Sequence, residues 1–600
     1  YGMGDGFSVF ADREDPNIIY WQLQGGVFAR DNKKTRTRKY IFPYEDENSG
    51  KLRFNWDAAI SMSPNDNTIY IGAQYVYKSV NRGDTWDQIS PDLTTNDPEK
   101  QKQDESGGLT IDNSTAENHC TITCIAESAM DKQIIWAGTD DGNLQVSQDG
   151  GNTWLNVSGN VPGLPSNTWC SSIYPSRFDR GTAYATFDGH RSDDISSYVF
   201  KTSNYGNTWV SLADENIKAH CYKILEDLVN PDLLFVGSEF GLFISVDGGQ
   251  SWAQFKGDLP NVSVMDMVIH PRDHDLVLGT HGRGVYIIDD IIPLRQLTNE
   301  ILESDLVFLD QRPNVPMSVT GPVWPGFDDE YVGRNPLSTI PITFYMKKRH
   351  IFGKMSIEVF DRDDHRIAEL ASVSTKGINK TYWAPYMRFP RMPKSDVFLP
   401  IMVQVFMAMP EYPPGEYKVK ITKGEDVYES SVQVNENSDW KFSSEDKELR
   451  REKMMEGYQL LEDLAYVDRR LNDVREQIPL IMEKMATSAS LKKKFDALSK
   501  ALEDVREGLL VTKVGDLRGE QRLREKVAAV YGSIAAYPGK PTDSQIRRLE
   551  MLTGNVRAME AEVNDIFAVN LEDINTALEK SGHENVKITS REEFDAEIDN

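Results

Sequence analysis

The sequence predicts a multidomain, mainly β protein with a helical C-terminal region. Its 600 residues exceed what a single hydrophobic core organises, so several domains are expected. Up to about residue 292, short apolar segments alternate with turn residues, a pattern typical of β-strands. Beyond residue 440, glycine and proline become rare and apolar residues recur with a helical period. Three domains are therefore predicted, spanning residues 1–295, 305–436 and 440–600.

An eight-residue pattern occurs four times in the first domain, with the form Ser/Thr-x-Asp/Asn-x-Gly-x-Ser/Thr-Trp. The Asp or Asn side chain is suited to accept hydrogen bonds from nearby backbone N–H groups, and the Gly is suited to a positive φ. The Trp then re-enters a strand, where its indole is large enough to pack between neighbouring sheets. Each copy therefore predicts a hairpin turn, with structural residues Asn81, Trp86, Asp149, Trp154, Asn204, Trp209, Asp247 and Trp252.

The spacing of the four copies indicates the architecture of the first domain. Successive tryptophans of the pattern are 68, 55 and 43 residues apart. The shortest interval matches the roughly 40–50 residues of a four-stranded propeller blade, and the longer intervals contain insertions. The chief insertion, Thr94–His119, is polar and charged. Six repeated units are visible, so a β-propeller of about six or seven blades is predicted.

The repeated octapeptide resembles the Asp-box, or BNR, repeat of sialidases, two-propeller xyloglucanases and sortilin/Vps10 receptors. Three further stretches, Asp92–Pro98, Phe187–Arg191 and Gly279–Tyr286, are similar to large bacterial BNR proteins of the sortilin-like or "glycosyl hydrolase" type. This resemblance implies that the chain corresponds to the second propeller and the C-terminal part of a longer protein. It also implies an extracytoplasmic location: the periplasm, the outer-membrane surface or the medium.

The second domain shows the alternation of a β-sandwich. The segment Tyr412–Tyr417 contains a rigid Pro-Pro-Gly turn that opens a strand. Together with Lys376–Trp383 it resembles an Ig-like sandwich of the FlgD type. The predicted strands are Ile342–Tyr345, Met355–Phe360, Thr381–Trp383, Ile401–Phe406, Tyr417–Ile421 and Tyr428–Val434.

The third domain is predicted to be an α-helical hairpin or bundle with an acidic tail. Short loops separate its apolar-periodic segments, which favours antiparallel neighbours. Thr542 is a suitable N-cap for the last long helix. The four predicted helices run from Leu449 towards Met485, from Ser490 to Leu510, from Gly519 to Tyr531, and from Thr542 towards Val569.

Net charge and hydropathy limit the classes of partner that the chain is expected to bind. The net charge of −27 argues against nucleic acid, which requires a basic face. No run approaches the roughly 18–20 apolar residues of a membrane-spanning helix. A protein, peptide or glycan ligand is expected instead, together with other protein subunits.

The cysteines of the first domain have two interpretations. Cys120, Cys170 and Cys221 each lie near the predicted start of an inner strand, and histidines precede two of them. They either form a soft-metal or thiol site or fill the tight inner ring as small packing residues. We favour packing and expect no cofactor. The candidate ligands under the metal interpretation are His119, Cys120, His220 and Cys221.

One loop concentrates polar functional groups. Phe187–Asp194 follows a predicted second strand and carries a base, a guanidinium and three acids. His190 and Arg191 are candidate ligand-binding residues for a sugar or a peptide terminus, although a loop stabilised by its own Arg–Asp pairs is the competing interpretation. His281 and Arg283 are candidate ligand-binding residues as well, although their glycines favour a tight turn in which Arg283 pairs with Asp289 or Asp290.

The function predicted from these features is extracytoplasmic, non-catalytic binding of a peptide, glycan or protein by a propeller face, in a subunit of a larger complex. The alternative is a xyloglucanase-like glycoside hydrolase with its site between this propeller and an upstream one. Asp188, Asp193 and Asp194 are the candidate acids for that alternative. The Arg-Ile-Pro motif of sialidases does not occur in the sequence.

Overall fold

The computed structural model describes residues 4–45, 50–106, 113–114, 116–314, 339–394, 409–437, 440–484, 489–511 and 521–597. The chain divides into two compact units. The first contains residues 1–312, 343–351 and 374–379, and the second contains residues 313–342, 352–373 and 380–600. The predicted strand Ile401–Phe406 lies outside the described residues.

The first unit is β-propeller-like, because six antiparallel sheets follow one another along the described chain and each is built from consecutive strands. Residues 1–312 contain five sheets of four strands and a sixth of three. In order, these are β1 (Gly6–Ala11), β2 (Ile18–Leu23), β3 (Val27–Asn32) and β4 (Thr37–Tyr40); β5 (Ile60–Met62), β6 (Ile69–Gly72), β7 (Val76–Ser79) and β8 (Asp87–Gln88); β9 (Ile122–Glu127), β10 (Ile135–Thr139), β11 (Leu144–Ser147) and β12 (Leu155–Asn156); β13 (Trp169–Pro175), β14 (Ala183–Asp188), β15 (Tyr198–Thr202) and β16 (Val210–Ser211); β17 (Cys221–Glu226), β18 (Leu234–Ser238), β19 (Gly241–Ser245) and β20 (Ala253–Gln254); and β21 (Val264–Ile269), β22 (Leu276–Thr280) and β23 (Gly284–Ile288).

The repeated octapeptide forms the turn between the third and fourth strands of a sheet. In the third sheet, Asp149 Oδ1 accepts the backbone N–H of Thr153 at 2.8 Å, and Ser147 Oγ accepts that of Gly151 at 2.9 Å. Trp154 Nε1 donates to the carbonyl of Ile89 in the preceding sheet at 2.9 Å. The turn therefore closes its own hairpin and also fixes the hairpin to the neighbouring sheet.

The copy in the fourth sheet, Thr202–Trp209, contacts its neighbouring sheet differently. Asn204 Oδ1 still accepts the N–H of Thr208 at 2.9 Å. The indole N–H of Trp209, however, is buried without a hydrogen-bond partner among the described residues. Its ring packs edge-on against Trp136, with 5.9 Å between the ring centroids. This copy thus joins the preceding sheet through aromatic packing of Trp209 and through a hydrogen bond from Asn160 Nδ2 to the carbonyl of Gly206 at 2.9 Å.

Buried glutamates provide a second link between neighbouring sheets. Glu226, at the end of β17, accepts hydrogen bonds from Ser176 Oγ at 2.9 Å, the N–H of Arg177 at 3.0 Å and Tyr184 Oη at 3.2 Å. Those three donors belong to the preceding sheet and its first turn. Glu127 ends β9 in the same way and accepts from Tyr70 Oη at 2.5 Å. Each carboxylate satisfies polar groups that would otherwise be buried unpaired.

Residues 292–383 contain two short helices, Ile292–Arg295 and Asn299–Glu303, and further strands. β24 (Leu306–Phe308), β25 (Ile340–Met346) and β28 (Gly377–Trp383) make a three-stranded sheet. A four-stranded sheet in the second unit has the order β27-β26-β29-β30. Its strands are β26 (Met355–Phe360), β27 (Arg366–Leu370), β29 (Gly415–Lys423) and β30 (Asp426–Val434).

The C-terminal region is helical, as predicted. Four long helices span Ser444–Lys484, Ala489–Leu509, Leu523–Ala535 and Asp543–Ile566. A π-helical segment at Phe567–Leu571 leads into Glu572–Lys580, and Arg591–Ala596 is the last helix described. Thr542 caps its helix by accepting the N–H of Gln545 at 3.2 Å. None of the described helices is both long and apolar enough to cross a membrane. The helices share one apolar core, which includes Leu461, Leu464, Phe495, Leu498, Val527, Tyr531, Leu549, Leu552 and Ile574.

Candidate functional site

The same β-bulge recurs where the first two strands of four successive sheets meet. Followed along the second strand, the register shifts by one residue and the next pair is Ile122↔Thr139, Cys170↔Phe187, Cys221↔Ser238 or Val264↔Thr280. Because the register repeats, the residue that follows the second member of each pair occupies an equivalent position at one end of its sheet. Those residues are Asp140, Asp188, Glu239 and His281.

Two of these equivalent carboxylates meet around two histidines. We call the group Asp188, His190, His220, Tyr222 and Glu239 the His–Asp cluster. The rings of His190 and His220 are stacked, with 4.5 Å between centroids and 23° between planes. Asp188 belongs to the fourth sheet, whereas His220 and Glu239 flank strands of the fifth, so the cluster joins two sheets.

Asp188 is the buried centre of the loop that follows β14. Its side chain is 3% exposed, and both of its carboxylate oxygens lie 2.7 Å from His190 Nδ1. The carboxylate also accepts the backbone N–H of His190 at 3.0 Å. Arg191 approaches it only at 3.5 Å, while the guanidinium lies 4.3 Å above the ring of Trp169. The loop is thus ordered by Asp188, and Arg191 projects from it with 57% of its side chain exposed.

A hydrogen-bond chain orients His220. Tyr222 Oη donates to Glu239 Oε2 at 2.6 Å and lies 2.8 Å from His220 Nε2. Because the hydroxyl has a single hydrogen and gives it to the carboxylate, it accepts from His220, so the proton of a neutral His220 resides on Nε2. Ser263 Oγ also donates to Glu239, at 2.8 Å. The opposite nitrogen, His220 Nδ1, is buried and has no hydrogen-bond partner within the described part of the chain.

The electrostatics of the cluster favour neutral His220 and ionised Glu239. Burial lowers the pKa of His220. Burial acts to raise the pKa of Glu239, but the hydrogen bonds from Tyr222 and Ser263 outweigh it and lower that pKa below its ordinary value. Burial, reinforced by the bond to Glu239, raises the pKa of Tyr222. At neutral pH the cluster therefore combines a free imidazole nitrogen with carboxylates.

The other two candidate acids lie outside the cluster. Asp193 is exposed and adopts a left-handed conformation, with φ of 64°, at the end of the short turn His190–Ser192. Asp194 accepts the N–H of Ser196 at 3.0 Å and Tyr198 Oη at 2.7 Å. Those two interactions lower the pKa of Asp194. The carboxylate of Asp194 therefore serves the local fold of the loop.

The candidates from the Gly-rich turn lie in the sixth sheet. His281 and Arg283 are both exposed in the turn between β22 and β23. His281 donates its backbone N–H to the carbonyl of Ser263 at 3.0 Å, which brings this turn beside the residue that contacts Glu239. His281 is also the sixth-sheet member of the repeated position, so it shares the end of the sheets on which the His–Asp cluster lies.

The four residues proposed for a soft-metal site fall in two places. His119 and Cys120 precede the third sheet, with 3.6 Å between Nδ1 and Sγ, while His220 and Cys221 begin the fifth. Cys120 lies two residues before Ile122, the true counterpart of Cys221, because the bulge register sets the alignment. Burial and the neighbouring Asp141 raise the pKa of Cys120 to about 11, and burial raises that of Cys221, so both thiols stay protonated at neutral pH.

Only His220 of those four belongs to a compact ligand group among the described residues. One such group is Asp188, His190 and His220, with one potential ligand atom from each lying within 4.8 Å of the others. The second group, Asp361, Asp363 and His365, follows β26 in a more exposed turn. Sequence reasoning missed Tyr222 and Glu239. Aligning the second strands at Gly138, Gly237 and Gly279 places Asp140, Glu239 and His281 at one position. The fourth sheet has Thr186 in place of that glycine, so Asp188 lacked this signal.

Lys223, Asp266 and Asp57 form a second set of ionisable residues in the first unit. Lys223 Nζ lies 2.8 Å from Asp266 Oδ1, across two neighbouring sheets. Asp57 retains contact with solvent, but protein atoms surround much of its carboxylate and Lys223 and Asp266 are its charged neighbours. Burial and the charge of Asp266 raise its pKa to about 6, against the opposing effect of Lys223. Asp57 accepts a hydrogen bond from Gln22 Nε2 at 2.7 Å.

Comparison with known proteins yields structural neighbours only. No family model and no curated protein matches the chain. The GH74 xyloglucanase of Xanthomonas campestris matches with 17% identity and a TM-score of 0.35, over 47% of this chain and 44% of the enzyme. PorZ, a surface component of the type-IX secretion system of Porphyromonas gingivalis, matches with 13% identity and a TM-score of 0.33, over 72% and 52%.

YCF48 in complex with D1 peptide is a third neighbour, with 14% identity and a TM-score of 0.31, over 48% of this chain and 78% of that protein. The chain therefore spans about half the length of the xyloglucanase and of PorZ. All three neighbours are β-propeller proteins. The architecture assigned to the first unit rests on its own sheets and registers.

Proposed function

We propose that this chain is a non-catalytic binding protein and that its ligand-binding face is the end of the sheets bearing the His–Asp cluster. The observation that carries the proposal is the state of Arg191. Packing over Trp169 holds its guanidinium in place, yet 57% of the side chain is exposed. A guanidinium ordered in this way is suited to bidentate recognition of a carboxylate. The ligand is a peptide or glycan that bears an acidic group.

The arrangement of the candidate acids supports binding over glycoside hydrolysis. An inverting glycosidase needs a general acid of raised pKa and a base about 6.5–9.5 Å away across a cleft. Asp188 is instead engaged by His190, and the pKa of Asp194 is lowered by Ser196 and Tyr198. Asp193 is exposed at a turn. None of the three has the environment of a general acid.

The proposal includes the finer organisation predicted from the sequence. The first domain has six or seven blades, residues 305–436 form an Ig-like sandwich, and the helical region 440–600 docks neighbouring subunits of a larger complex. The protein is extracytoplasmic, with a relationship to the sortilin-like BNR proteins. One feature that fits a seventh blade is the exposure of four apolar side chains of the sixth sheet, Met265, Val268, Val285 and Ile287.

A matched pair of arginine variants tests the proposal. Arg191 and Arg180 flank opposite ends of β14, and each has a side chain that is 57% exposed. Arg180 pairs with Asp131 at the end of the sheet where the octapeptide turns lie. The 600-residue chain would be screened on acidic peptide and glycan arrays. R191A should lose the bound ligands while R180A retains them.

The same screen separates binding from catalysis. Equal binding by R191A and R180A would refute the proposed face. Hydrolysis of a polysaccharide by the wild-type chain that is lost in D188N, D193N or D194N would establish the glycoside hydrolase instead. Binding without turnover of the captured glycan supports the binding protein.

A further inference from the structure

We propose that Asp188, His190 and His220 form a binding site for a divalent transition-metal ion, Zn²⁺ in the first place. Two imidazole nitrogens and one carboxylate oxygen lie within 4.8 Å of one another on two neighbouring sheets. This donor set suits Zn²⁺ and other imidazole-seeking ions better than Mg²⁺ or Ca²⁺, which prefer oxygen ligands. The inference is independent of the proposed function, because the ion alone satisfies it.

The strongest support is the unpartnered nitrogen of His220. The residue is 6% exposed, and its Nδ1 is buried without a partner among the described residues. A buried polar atom that lacks a partner costs stability, so its retention calls for a ligand. The chain from Nε2–H through Tyr222 to Glu239 leaves the lone pair of a neutral imidazole on Nδ1. Metal-binding histidines are oriented by just such a hydrogen bond from the opposite nitrogen.

The other two ligands are equally constrained. Asp188 is fixed at the end of β14 and accepts the backbone N–H of His190, so its carboxylate position is set by the loop. Stacking at 4.5 Å keeps the two imidazole rings side by side. Zn²⁺ bonds of about 2.0–2.1 Å place tetrahedral ligands about 3.3 Å apart. Separations of at most 4.8 Å therefore close by no more than about 1.5 Å on metal binding, a shift within reach of the partly exposed His190.

Three protein ligands leave one tetrahedral position for an external group. His190 is 37% exposed, so the site is reached from solvent at this side. Tyr222 and Glu239 act as positioning residues, because they hold His220 through its other nitrogen. The turn with Asp361, Asp363 and His365 is the control group in the same chain, since it offers similar donors without a buried, unpartnered nitrogen.

Calorimetric titration of the tag-free, metal-stripped 600-residue chain with ZnCl₂ tests the site, with metal content confirmed by elemental analysis. We expect one Zn²⁺ per chain, and no displacement by millimolar Mg²⁺. H190Q and H220N should weaken binding by more than about 100-fold, and Y222F by about 10–100-fold. H365A should bind as the wild type does, which separates this site from the exposed turn that carries Asp361, Asp363 and His365.

Two results would overturn the proposal: the absence of stoichiometric Zn²⁺ binding, or binding that H365A removes and H190Q leaves intact. H220N alters a buried residue, so its thermal unfolding is measured in parallel. If H220N does not fold, H190Q decides the question, because the side chain of His190 is 37% exposed and lies outside the buried core. Co²⁺ in place of Zn²⁺ provides a second readout, since its absorption spectrum reports imidazole coordination directly.

Discussion

Replacement of Glu226 by Ala should be among the most destabilising polar changes in the first unit. The variant removes the acceptor for Ser176 Oγ, the N–H of Arg177 and Tyr184 Oη, all in a place where Glu226 is 1% exposed. Each buried donor left unpaired costs about 1–3 kcal/mol, and water entering the vacated space recovers part of that loss. We therefore expect E226A to lower the free energy of unfolding by about 3 kcal/mol.

Differential scanning calorimetry and urea denaturation followed by tryptophan fluorescence would measure the change. A loss of about 3 kcal/mol corresponds to a fall in Tm of about 5 °C for a unit of roughly 300 residues. Y184F removes one of the three donors and should cost about 1 kcal/mol. E99A, at a side chain that is 75% exposed, should cost less than about 0.5 kcal/mol. A cost for E226A below about 1 kcal/mol, or one equal to that of Y184F, would refute the role assigned to the buried carboxylate.

Three further predictions follow from local geometry. W154F should cost about 1 kcal/mol because it loses the bond to the carbonyl of Ile89, whereas W209F has no such bond to lose; equal costs in urea denaturation would contradict this. Asp57 has a pKa of about 6 in the folded state against about 3.9 in the unfolded state, so its contribution to stability falls as pH rises from about 4 to 6. The free energy of unfolding of D57N should therefore exceed that of the wild type by about 1 kcal/mol at pH 7, after allowance for solvent screening, and should equal it at pH 4. T542A removes a helix cap and should lower the free energy of unfolding by about 1 kcal/mol, a loss that T542S restores in part.

The sequence predicts well the features that depend on interactions between residues close together in the chain. The octapeptide specifies its own turn, since Asp149 bonds to Ser147 and Thr153 a few positions away. The helix beginning at Asp543 follows a cap that can be identified from Thr542 alone. β26 has the bounds predicted from alternation, because the buried Met355, Ile357 and Val359 alternate with the less buried Ser356, Glu358 and Phe360. Local chemistry is legible in the sequence without knowledge of the fold.

The His–Asp cluster could not be predicted in the same way. His190 and His220 are thirty residues apart, and only the pairing of β13, β14, β17 and β18 brings their rings together. The third and fifth sheets carry the same bulge, so their registers make Ile122 the counterpart of Cys221, whereas the similarity of His119-Cys120 to His220-Cys221 had suggested Cys120. Long-range register therefore decided which histidine meets which carboxylate, and a single chain does not reveal that register.

The octapeptide turns and the repeated position lie at opposite ends of the sheets. This separation has an evolutionary consequence. The octapeptide turns and their tryptophans lie at one end, whereas the repeated position that holds Asp140, Asp188, Glu239 and His281 lies at the other. Under the proposed function, a change at the repeated position would alter what the protein recognises and leave the octapeptide turns untouched. Descendants of such a chain can acquire new specificities one blade at a time, because selection for folding and selection for recognition act on different residues.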